Sequence, residues 1–70
     1  MRHDVNTLNL YVWNELVGAE SVWSAQIPEV RLSVSAESRE GAVARARKSL
    51  EAEFPGQVHH LAIHDCLAPA

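Results

Sequence analysis

"SREGAVARARKSLEAEF", Ser38 to Phe54, decides the fold, because here the spacing of apolar residues changes. Val43, Ala46, Leu50 and Phe54 follow one another at intervals of three, four and four and line one stripe of a helix, with Arg45, Arg47, Lys48 and Glu51 off it. Ser38 is a suitable N-cap and Glu40 suits the positive end of the helix dipole. Gly41 stands where a capping box would want Glu or Gln. Pro55 and Gly56 end the helix.

On both sides of this segment the period is two. "TLNLYVWNEL", Thr7 to Leu16, sets Leu8, Leu10 and Val12 against Asn9, Tyr11 and Trp13 and predicts a strand. "VGAE" reads as a turn with Gly18 at positive φ, and "SVWSAQI", Ser21 to Ile27, alternates again, so the two strands form a hairpin. Pro28 bends the chain before a third strand, "VRLSVSA", and a fourth, "QVHHLAIHD", runs from Gln57 to about Asp65. The expected fold is α+β: one β-β-β-α-β domain over residues 1–70, a mainly antiparallel sheet with one helix on one face. Its ordered core spans about 7–65, and 66–70 is a frayed tail. The order of strands in the sheet is left open.

A single helix covers one face of such a sheet. Leu8, Leu10, Val12, Trp23, Ala25, Ile27, Leu32, Val34, Leu61 and Ile63 are expected beneath it. The other face then shows Tyr11, Trp13, Val22 and Ala62 among Ser24, Ser33 and Ser35. A cross-strand pair of aromatics shielding the backbone is one account of that face. An interface is the other, and it is preferred because large aromatics concentrate in interface cores.

Composition narrows the function classes. Seventy residues, 47% of them hydrophobic and 21% charged, make one small globular domain. A chain of this size buries only about 60% of its unfolded surface, which argues against a deep active-site pocket and for stabilisation by a partner or a second copy. Neither a secretory signal nor a long apolar run is seen, and Cys66 is the only cysteine, so a cytoplasmic protein without a disulfide or membrane span is expected. The net charge of −3 is unevenly spread. No Lys or Arg falls between Arg2 and Arg31, whereas Arg39, Arg45, Arg47 and Lys48 cluster. This balance argues against direct nucleic-acid binding and for an acidic surface that meets a basic partner.

The one chemical cluster is "VHHLAIHDC", Val58 to Cys66. In a strand His60, Ala62, His64 and Cys66 share one face and His59, Leu61, Ile63 and Asp65 the other. His60 and His64 would then lie roughly 13 Å apart, too far for one zinc ion. His64 and Cys66 remain as a pair, too few to close a tetrahedral site within one chain. No catalytic, cofactor-binding or metal-binding residue is therefore assigned, and an enzyme is not expected.

The middle of the chain resembles the N-terminal domain of HicB-type antitoxins and their short relatives. Trp23, Ala25, Ile27, Pro28 and Glu29 match one part of that group's pattern, and Ser38, Glu40, Ala42 and Val43 the other. Glu29, Val30 and Arg31 stand where members commonly place Pro-Gly. The resemblance implies a partial ribonuclease-H-like β-β-β-α-β fold without catalytic carboxylates. It also implies an antitoxin-type inhibitor of a basic, RNA-cleaving protein. Full-length antitoxins of this type add an operator-binding segment, and five residues follow Asp65, so DNA binding is not expected. The expected function is a non-enzymatic protein-binding module, a homodimer or half of a complex, using Tyr11, Trp13, Glu15 and Glu20. The alternative is a small acidic inhibitor from a mobile element, anti-CRISPR-like, that blocks a nucleic-acid-binding machine.

Overall fold

The computed structural model describes residues 6–56 and 59–66. Strand β1 (Asn6–Val17) turns into β2 (Glu20–Ile27), a 3-10 turn over Pro28–Val30 leads to β3 (Leu32–Ala36), and helix α1 (Arg39–Glu53) returns the chain to β4 (His59–Asp65). The β-β-β-α-β order is the expected one. The sheet runs β3-β2-β1-β4, with β1, β2 and β3 antiparallel in turn and β4 parallel to β1 at the far edge.

Each strand places its apolar residues as period two predicts. Leu10 and Val12 of β1, Ala25 and Ile27 of β2 and Leu32 of β3 form the core with Ala42, Ala46 and Leu50 of α1. Leu8, Trp23, Val34, Phe54 and Leu61 are partly buried against it. The helix stripe is centred one residue earlier than expected. Ala42, Ala46 and Leu50 face the sheet at i, i+4 and i+8, and Val43 and Phe54 flank them, because alanines allow the helix closest to the strands.

α1 lies mainly over β3 and β2, touches β1 less, and scarcely reaches β4. The inner side of β4 is therefore less covered than expected: Ile63 remains 36% exposed. In its place Arg39, in the first turn of α1, clasps Asp65 at the end of β4, with Nε to Oδ1 at 2.5 Å and Nη2 to Oδ2 at 2.8 Å. This two-pronged pairing fixes orientation as well as distance.

Two boundaries differ from expectation. Val30 is not in a strand: Pro28–Val30 closes a 3-10 turn in which the Arg31 N–H donates to the Pro28 carbonyl at 3.1 Å, and Arg31 itself adopts φ 55°. β3 can begin only after that left-handed residue. Cys66 is not frayed, because its N–H donates to the Val12 carbonyl at 2.8 Å and extends the β1–β4 pairing. Gln57, Val58 and 67–70 lie outside the described residues.

β1 and β2 outrun their neighbours. Past Val12 no residue of β4 pairs with β1, and past Trp23 none of β3 pairs with β2, so Asn14–Val22 projects as a two-stranded arm. The arm gives the molecule its 48 Å long axis against 23 and 18 Å. Gly18 at φ 67° makes its two-residue turn, the first central position of a type II′ geometry, and Leu16 and Val17 are exposed beside it. Among the described residues no helix is long and apolar enough to cross a membrane.

Candidate functional site

The candidate site is the sheet face turned away from α1. Register and pleat place Asn9, Tyr11, Trp13 and Glu15 of β1 there, flanked by Glu20, Val22, Ser24 and Gln26 of β2. Ser33 and Ser35 of β3 and His60, Ala62 and His64 of β4 complete it. Tyr11, Trp13, Glu15 and Glu20 thus share one surface. The first three are consecutive outward positions of β1 and half-buried, whereas Glu20 is exposed near the tip of the arm, opposite Val17.

Two side-chain networks hold this face. At the arm, Asn14 Nδ2 donates to Ser21 Oγ at 2.6 Å on the opposite side of the ribbon, and Ser24 Oγ donates to Glu15 Oε2 at 3.2 Å on the open side. Across the β1–β4 seam the His64 ring stacks on Tyr11 with centroids 4.9 Å apart and planes 19° from parallel. His64 Nε2 is also 3.0 Å from Asn9 Oδ1. Asn9 in turn donates from Nδ2 to Glu29 Oε2 at 2.7 Å, and its backbone N–H reaches both oxygens of the same carboxylate at 3.2 and 3.3 Å.

That last contact has a structural cause. β2 ends at Ile27, opposite Leu10, so the Asn9 N–H has no ladder partner, and the 3-10 turn after Pro28 swings Glu29 in to accept it. The Glu29 carboxyl is held below its ordinary value, first by its own backbone N–H and then by the Asn9 side chain. Trp13 is half-buried on the same face, and its indole N–H is shielded from solvent without an acceptor among the described residues.

The Asn9–Tyr11–His64–Glu29 cluster has no signature in the sequence. Alternation identifies the face of each strand but not its neighbour, so a contact between residues 55 apart in the chain gave no local signal. His64 turns its ring to Tyr11 and Asn9. Cys66 meets His64 only through a 3.8 Å contact from its sulfur to the His64 carbonyl. Among the described residues no three His, Cys, Asp or Glu side chains converge as a metal site would require. The described strand positions of the open face carry Glu15 and Glu20, with Glu29 at the margin, and no Lys or Arg. No protein-family model, curated protein or solved structure matches the chain.

Proposed function

We propose that the protein is a non-enzymatic, HicB-like binding module. It acts in the cytoplasm as an antitoxin-type inhibitor whose open sheet face covers a basic, RNA-cleaving partner. The observation that carries this reading is the juxtaposition on one face of two large aromatics, Tyr11 and Trp13, with Glu15 and Glu20 and no Lys or Arg at the described strand positions of that face. Aromatic side chains supply contact area at low entropic cost, and a one-signed rim steers a partner of opposite charge. The projecting arm extends the same surface, so that the β1–β2 hairpin can reach along a substrate cleft while Tyr11 and Trp13 anchor the base. The module pairs as a homodimer or as half of a hetero-complex.

Capture of a tagged copy from ribonuclease-treated lysate of the native host tests this. One small basic protein is expected, and Trp13→Ala should reduce its recovery by tenfold or more, about 1.4 kcal/mol, while the circular dichroism spectrum is unchanged. Recovery of a multi-subunit nucleoprotein complex, released by added nucleic acid, would instead support the mobile-element inhibitor. Undiminished capture by the Trp13 variant would remove the face from the interaction.

A further inference from the structure

A second surface lies at the β3 edge of the sheet, beside α1. In the order β3-β2-β1-β4, among the described residues only one side of Leu32–Ala36 is paired, so alternate backbone N–H and C=O groups along its outer side point away from β2. Sheet edges are ordinarily guarded by a charge, a proline, a bulge or a covering segment. The sequence of β3, Leu-Ser-Val-Ser-Ala, has neither charge nor proline.

Beside this edge, between β3 and α1, runs a shallow groove. One part, about 590 Å³, is lined by Val34, Gly41, Ala44, Arg45, Lys48 and Ser49. A second part, about 270 Å³, shares Val34 and Ser49 and ends at Arg31 and Glu53. Three cations thus meet one carboxylate along the groove. Arg31, Arg45 and Lys48 have no carboxylate partner among the described residues, where the ion pair is Arg39 with Asp65. Arg31 is also the one non-glycine residue at positive φ among those described, a conformation uncommon for such a side chain, and it stands where the groove meets the start of β3.

We propose that this edge binds an extended acidic peptide of a partner protein, which joins the sheet as a fifth strand. Main-chain pairing to Leu32–Ala36 provides the attachment, and the groove provides the selectivity. Alternate side chains of an added strand point toward the helix layer, about 7 Å apart, and those meet Arg45, Lys48 and Arg31, so acidic residues at every second position suit them. The intervening side chains lie alongside Ser33 and Ser35 on the other face, where Ser or Thr can pair with them. A nucleic-acid backbone fits less well, because its phosphates only accept hydrogen bonds, whereas the edge presents donors and acceptors in alternation.

Backbone amide NMR of the full chain, titrated with an end-capped eight-residue peptide alternating Glu and Thr, tests the proposal. Saturable shifts centred on Leu32–Ala36 are expected. Binding should be about tenfold tighter than for the Lys-Thr counterpart, about tenfold weaker in R45Q/K48Q, and lost when alternate peptide nitrogens are methylated. Trp13→Ala should leave it unchanged, which separates this surface from the open face. The proposal is overturned by the absence of saturable shifts at β3 at millimolar peptide, or by equal binding of the lysine peptide. Shifts at β3 from an eight-nucleotide uridylate but not from the acidic peptide would also overturn it and assign the groove to phosphate.

Discussion

Gly41 illustrates how a single residue can be misread from its neighbours in sequence. As the third residue of α1 it looks like a poor choice, since glycine is the weakest helix former after proline, by about 1 kcal/mol against alanine. The structure supplies the reason: a Cβ there would stand 2.9 Å from Ser38 Oγ and 3.3 Å from the Ala36 Cβ. Ser38 Oγ accepts the Gly41 N–H at 3.0 Å, so the cap and the end of β3 both close on the missing side chain. Gly41→Ala should therefore lower the melting temperature despite its better propensity. Ser38→Ala should cost about 1 kcal/mol, or roughly 4–8 °C in a domain of this size, in thermal denaturation. Ser38 itself was legible, because capping is a local property. Among the described residues, Asp65 and Glu29 are the carboxyls held below their ordinary values. The Arg39 hydrogen bonds hold Asp65 below its ordinary 3.8, and Glu29 sits below 4.5, first through its own backbone N–H. Carboxyls that are more acidic in the folded state contribute stability that is present above their unfolded pKa values and lost as pH falls through the folded ones. The melting temperature should fall as pH is lowered below about 4.5, and in Arg39→Gln that fall should be shallower because Asp65 no longer differs between states.

Among the elements, the hairpin and the helix were readable, and β4 was readable as a strand but not as a neighbour. Local alternation and a turn glycine specify β1 and β2, and Gly18 at φ 67° closes them. Gly18→Ala should cost about 1 kcal/mol, seen as a lower urea midpoint, through backbone strain, since beyond its chain neighbours no described atom lies within 4 Å of the added methyl. The helix lies where its period predicts, but its buried stripe is turned slightly about the axis. A search for the largest apolar residues weights Val43 and Phe54, whereas the packed surface is built on Ala42, Ala46 and Leu50. Leu50 is 4% exposed, so Leu50→Ala should cost about 2 to 5 kcal/mol by urea denaturation. Alanine at Val43, only half-buried, should cost clearly less. The end of β2 and start of β3 were blurred because Pro28 announces a bend but not its length, and the extra 3-10 turn is fixed by Arg31, which carries no mark of its backbone angle.

For the whole molecule, the partition of side chains between two faces was legible, since period two requires it once the strands are known. Tyr11, Trp13, Glu15 and Glu20 do share a surface, yet the His64 ring stacked on Tyr11 and the carboxylate clamped on Asn9 depend on long-range pairing. His64→Ala should therefore loosen the β1–β4 seam, and faster amide exchange along Leu8–Val12 would show it without loss of the α1 core. The parallel placement of β4 against β1 also governs the timing of folding. Among the described strands β1 is made first and β4 last, and they pair across some fifty residues, Asn6 with His59 through Val12 with Asp65. Contacts this distant along the chain form late and slowly, because the intervening loop must be closed before they contribute. A nascent chain that has made β1, β2, β3 and α1 therefore holds Leu8 and Leu10 beside an unpaired backbone edge until His59–Asp65 emerges. During synthesis this half-finished sheet is the species most exposed to strand exchange with a neighbouring copy, and the arrival of one short strand ends that interval.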